Sequence, residues 1–130
     1  MPEETVTVYQ FVGGDGPFSL LVDAFYRGVE QDPLLRPMYP EDLGPARERL
    51  FLFLTQFFGG PRRYEAQRGH PRLRMRHLPF PIGTEARDAW LRHMGAAVEE
   101  VAISEPARTM MLQYFANTAN FMMNQTPETP

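Results

Sequence analysis

Cysteine is absent from the 130 residues, and so is lysine, since all 13 basic side chains are arginine. Without a thiol, no disulfide framework, thiolate zinc site or cysteine-ligated iron–sulfur cluster can contribute. The fold must rest on packing, with or without a cofactor. Long apolar runs are missing as well. The most apolar stretch, Leu50 to Phe58, is broken by Thr55 and Gln56 and falls far short of the roughly 20 residues of a membrane helix. The opening Met1-Pro2-Glu3-Glu4 lacks the charged and apolar blocks of a secretory signal. The expectation is a soluble, cytoplasmic protein without a membrane partner. No stretch shows period-two alternation between hairpin turns, and no internal repeat is visible. A formal net charge of -3 argues for solubility rather than for a nucleic acid partner. A chain of this length can hide roughly two thirds of the surface it exposes unfolded, enough for one domain with a core.

What is present is helical periodicity, in four stretches separated by breakers. After Gly13-Gly14-Asp15-Gly16-Pro17, apolar residues recur at Phe18, Leu21, Val22, Phe25, Tyr26 and Val29, the three-and-four spacing of one buried face. Asp15 is expected to cap this helix, and Pro17 suits its first turn. Four prolines between Asp32 and Pro45 predict a corner of short turns. A second helix starts near Pro45 and carries Ala46, Leu50, Phe53, Leu54 and Phe57 on one side, ending at Gly59-Gly60-Pro61. An arginine-rich segment follows, with at most a short helix between Pro71 and His77, because Pro79 and Pro81 block continuation. Thr84 is expected to cap a third helix with Ala86, Trp90, Met94, Ala97, Val98 and Val101 on its apolar face. The last helix, opened by Ser104 and Glu105-Pro106, carries Met111, Tyr114, Phe115, Thr118, Ala119 and Met122. The chain reads as a single all-α domain over 1–130, with 1–12 as an N-terminal extension and 125–130 as a fraying tail. Periodicity alone leaves an ordinary bundle and an irregular helical pocket equally open.

Only three histidines exist, at positions 70, 77 and 93, and their spacing offers no familiar zinc-binding pair. A lone histidine is in most cases a surface or hydrogen-bonded residue. A haem iron, however, needs a single protein imidazole, because the porphyrin supplies four ligands. Between Arg62 and His77, six arginines face the single acid Glu65, a cluster suited to an anion.

The run from Gly69 to Phe80, Gly-His-Pro-Arg-Leu-Arg-Met-Arg-His-Leu-Pro-Phe, followed by Arg87-Asp88-Ala89-Trp90-Leu91, resembles the proximal region of the group II truncated haemoglobins. Phe25-Tyr26, Met38-Tyr39-Pro40-Glu41-Asp42, Arg49-Leu50, Phe57-Phe58-Gly59-Gly60-Pro61 and the early Gly13-Gly14 pair match in the same order, and Ser104 to Asn124 fits the last helix of that family. The resemblance implies a two-over-two helical sandwich around one haem b, with His77 as the proximal ligand and the sixth iron position open to a diatomic molecule. It places Tyr26, Tyr39 and Trp90 on the ligand side, with Trp90 as the principal hydrogen-bond donor, and puts Ala46 where many globins carry a distal histidine. Leu50, Phe53 and Leu54 are then the apolar wall, with Leu73, Phe80 and Met94 as further haem contacts. Arg76, Arg49 and Tyr64 are the candidates for the haem propionates, since arginine pairs with carboxylates bidentately.

The function this implies is reversible binding of dioxygen and other small ligands. An alternative with the same residues is a haem redox enzyme, peroxidase-like or oxidising nitric oxide with dioxygen, supplied by a separate reductase. RNA binding through the arginine cluster and an aromatic residue competes, but one short cluster in an acidic chain is weak support. A helical interaction module without cofactor is the third reading. The protein is expected to be a monomer or homodimer.

Overall fold

The computed structural model describes residues 6–77 and 80–124. Among the described residues seven α-helices follow one another: α1 (Val8–Val12), α2 (Asp15–Glu30), α3 (Gly44–Phe57), α4 (Arg63–Arg68), α5 (Leu73–His77), α6 (Thr84–Val101) and α7 (Ala107–Met122), with a 3-10 turn at Arg36–Met38. No strand occurs among the described residues, and no helix there is long and apolar enough to cross a membrane. Two pairs form the body: α2 packs on α3 and α6 packs on α7, while α2 lies across α6 in the most extensive contact of the fold. The periodic residues of α2, from Phe18 to Val29, are all buried. They meet Met94, Ala97 and Val98 of α6 and Met111 and Phe115 of α7 in one core. Phe57, expected on the buried side of α3, is instead half exposed and stacks on Tyr114, with ring centroids 4.0 Å apart.

The caps differ from expectation. Gly14 takes the cap position of α2, and the Asp15 carboxylate instead accepts hydrogen bonds from Tyr9 (2.8 Å) and from the Arg63 guanidinium (2.7 and 3.2 Å). The side chain expected to close one helix therefore ties α1, α2 and α4 together. Gly83, not Thr84, precedes α6 as its cap. Part of the N-terminal extension is helical: α1 opens with a reciprocal capping box between Thr7 and Gln10, and Tyr9 stacks on Phe18. The backbone N–H of Tyr9 also donates to the Phe58 carbonyl. α4 lies in the arginine-rich segment where no helix was expected. The tail from 125 to 130 lies outside the described residues.

The proline-rich corner is organised by Asp32. Its Oδ1 accepts from the backbone N–H groups of Leu34 (2.8 Å) and Leu35 (3.3 Å), and its Oδ2 lies 2.7 Å from His93 Nε2 of α6. A carboxylate only accepts, so that imidazole nitrogen carries the proton. The hydrogen bond from His93, the largest influence, holds the Asp32 carboxyl below its usual range. The ring of His93 lies against α2 at Gly28, where a Cβ would come within 2.4 Å of His93 Nδ1. Glycine at 28 is what allows the ring to lie there.

Candidate functional site

A cavity of about 560 Å³ opens between the two helix pairs, within the roughly 300–1,000 Å³ of cofactor-sized pockets. α2 contributes Phe25 and Tyr26, the corner contributes Met38 and Tyr39, and α3 contributes Ala46, Leu50, Phe53 and Leu54. α4 brings Tyr64 and Arg68; α5 brings Leu73 and His77. Phe80 and Ile82 follow, then Ala86, Arg87 and Trp90 from α6, and Phe115, Thr118 and Met122 from α7. Residues more than 90 positions apart in sequence thus share one wall.

His77 is at the end of a single short helix, and its Nδ1 lies 2.6 Å from the Leu73 carbonyl oxygen. A carbonyl accepts only, so Nδ1 carries the proton and Nε2 keeps its lone pair for a metal. The other two histidines are engaged elsewhere. His93 is bound to Asp32, and exposed His70 accepts from the backbone N–H of Arg72. Neither lines the cavity.

Among the other polar side chains of the cavity, Tyr26, Tyr39 and Trp90 lie together. Tyr26 is buried, with its ring at 5.7 Å and 88° to that of Tyr39. Burial pushes the Tyr39 hydroxyl up to about 12, opposed by a hydrogen bond with Trp90. Burial also raises Tyr26. Both phenols therefore keep their protons at neutral pH and remain donors. The Trp90 indole, whose nitrogen only donates and which is expected to donate to a ligand, lines the cavity beside the Tyr39 hydroxyl. Tyr39 itself is carried by a strap that Arg36 closes, donating to the carbonyls of Tyr39 (3.3 Å), Pro40 (2.9 Å) and Glu41 (2.8 Å).

The charged border of the cavity is cationic. Arg49 and Arg87 are half-buried and Arg68 is exposed, and all three line it beside Tyr64. Arg87 is held by Asn120 Oδ1 at 2.9 Å. The residues present fit a haem: an apolar slot, one imidazole with a free Nε2, and guanidinium groups at the edge for carboxylates. Among the described residues no group of three or more His, Asp or Glu side chains could hold a metal by itself.

The family model for bacterial-like globins matches residues 7–124. The chain belongs to the bacterial-like globin family. Within it, this globin is 44% identical over 113 residues to the group 2 truncated haemoglobin YjbI of Bacillus subtilis (strain 168), covering 87% of this chain and 86% of that one. The haemoglobin structure from the thermophilic phototrophic bacterium Chloroflexus aurantiacus superposes with a TM-score of 0.91 at 55% identity, over 92% of this chain and 98% of that one. A truncated oxygen-avid haemoglobin from Bacillus subtilis superposes at 0.87 and 42% identity, over 91% and 99%. The protein is a group II truncated haemoglobin with the two-over-two helical fold, and globin membership implies haem as its cofactor.

Of the residues singled out in the sequence, Tyr26, Tyr39, Ala46, Arg49, Leu50, Phe53, Leu54, Tyr64, Leu73, His77, Phe80 and Trp90 come together in this globin's cavity. Met94 does not: it is fully buried in the core between α2 and α6 and is not among the lining residues. The side chain of Arg76 lies outside what the structure describes. Arg68, Arg87 and Ile82 line the cavity without having been singled out. Only the approach of α4 and α6 to the same opening brings Arg68 and Arg87 to it.

Proposed function

We propose that this chain holds one haem b through His77 and binds dioxygen reversibly in the same cavity. The observation that carries the reading is His77 itself, whose Nδ1–H is fixed on the Leu73 carbonyl, in a cavity that also holds the protonated hydroxyls of Tyr26 and Tyr39. Haem held there by His77 would supply an iron able to bind a diatomic ligand. The protein does the rest. The Leu73 carbonyl fixes the tautomer and the ring plane of His77. Tyr39, beside Trp90, has its hydroxyl proton free for an acceptor, and Tyr26 offers a second. In a largely apolar slot, such donors favour a polar ligand such as dioxygen over carbon monoxide. Ala46, buried beside them, offers no polar group of its own. Arg49, Arg68 and Arg87 hold the propionates. The oxygen avidity of the Bacillus subtilis relative is in keeping with this arrangement.

The test is an absorption spectrum of purified protein, ferric, ferrous, and ferrous with carbon monoxide, repeated for His77→Gly and His93→Ala. Haem bands in the parent and in His93→Ala, with altered ferrous ligation in His77→Gly, are the expected result. A colourless parent that takes up no added haem, or loss of ligation in His93→Ala alone, refutes the proposal.

A further inference from the structure

Helix α5 is only five residues long, Leu73–His77, and a helix this short has no stability of its own in water. Its main helix contact is α7. What holds His77 in place must therefore come from outside the helix, and it comes largely from one side chain. Asn124 stands two residues beyond the end of α7. Its Nδ2 donates to the Phe80 carbonyl at 2.7 Å and to the carbonyl of His77 itself at 3.2 Å. Its Oδ1 accepts from the Ile82 backbone N–H at 2.9 Å, and its own backbone N–H donates to the Ile82 carbonyl at 2.9 Å. The reverse amide orientation would set oxygen against two carbonyls, so the partners fix the assignment. Both donors and the acceptor of a single amide are thus committed to residues 77, 80 and 82. The His77 carbonyl also accepts from the Phe80 N–H at 3.0 Å.

We propose that Asn124 is the positioning residue of the proximal side. It fixes the backbone of His77 while Leu73 fixes the ring, and together they set where the imidazole stands over the cavity. The inference rests on the proposed ligation through His77. It links the end of α7 to the strength and geometry of that ligation, so that loosening Asn124 loosens the haem without unfolding the globin.

The experiment uses haem-loaded protein and compares Asn124→Asp, Asn124→Ala, His77→Gly and Arg108→Ala with the parent. Asn124→Asp keeps an acceptor for the Ile82 N–H, removes both donors and sets a carboxylate oxygen against two carbonyls. Arg108→Ala breaks the ion pair with Glu99 at the opposite end of α7 and so weakens the same helix elsewhere. The readouts are the iron–imidazole stretching band of the ferrous protein by resonance Raman and the rate of haem transfer to an excess of scavenging apoprotein. Both Asn124 variants are expected to shift and broaden the band and to speed haem loss about tenfold in Asn124→Ala, more in Asn124→Asp. Helix content by circular dichroism should hold, and Arg108→Ala should leave the band in place. A parent-like band and haem-loss rate in Asn124→Asp overturn the proposal, and so does an equal shift in Arg108→Ala. A band that persists unchanged in His77→Gly overturns the ligation and the positioning role with it.

Discussion

A phenol in this cavity is a hydrogen-bond donor only while it keeps its proton. Burial raises both Tyr26 and Tyr39, the latter to about 12, so the protonated form persists across neutral and mildly alkaline pH. Dioxygen release should therefore be flat from about pH 6 to pH 9 and accelerate only as the phenolate forms at higher pH. Tyr39→Phe, having no proton to lose, should be faster throughout and lack much of that alkaline rise. Stopped-flow dissociation over the pH range checks both. The Trp90 indole beside the Tyr39 hydroxyl bears on the same proton. Each hydrogen bond is worth about 0.5–1.5 kcal/mol, so Trp90→Phe and Tyr39→Phe should each speed dioxygen release by up to roughly tenfold. If Trp90 acts by orienting Tyr39, the double variant should be little faster than Tyr39→Phe alone. Fully additive effects would show that the indole donates to the ligand directly. Carbon monoxide release, less sensitive to donors, should change less in every variant.

Individual elements carry these side chains to their places, and the corner between α2 and α3 does so for Tyr39. Asp32 satisfies two backbone N–H groups of that corner and joins it to His93 on α6. Asp32→Ala should cost about 1–3 kcal/mol of stability, the range for leaving buried donors unpaired, and should raise dioxygen release through displacement of Tyr39. Chemical denaturation and ligand kinetics on one preparation measure the two. The depressed carboxyl of Asp32 adds a sign: its contribution is complete above the ordinary carboxylate range and is lost as pH falls through its lowered value. At this scale the sequence was informative where elements were long. α2, α3, α6 and α7 span several turns, and their apolar periodicity showed them within a residue or two. α1 and α4, five and six residues long, are too short to display a period. Thr7-Val8-Tyr9-Gln10 did carry a capping-box pattern that marks α1. The displaced role of Asp15 had no local signal, because its partners Tyr9 and Arg63 are chosen by tertiary contact. The same holds for Arg68, Arg87 and Asn124, which become cavity or proximal residues only once distant helices meet.

As a whole, the molecule is built around an opening it cannot fill with its own side chains. A cavity of about 560 Å³ leaves its apolar lining without packing partners, so the cofactor should be a large part of the stability. A ligand present at a thousand times its Kd contributes about 4 kcal/mol, which for a domain of this size corresponds to about 10–20 °C in Tm. Haem extraction should lower the melting temperature by at least that much, and calorimetry before and after re-addition of haem is the check. The contact of α2 with α6 has a different bearing, on how such a chain can change over generations. With His93 pinned by Asp32, a methyl group at position 28 has nowhere to go. Gly28→Ala alone should cost about 1–3 kcal/mol by overpacking, whereas in a His93→Ala background it should be nearly neutral, as paired melting curves would show. The two helices therefore impose an order on mutation. Position 93 must be vacated before position 28 can be filled, and lineages that kept the imidazole inherit the glycine with it.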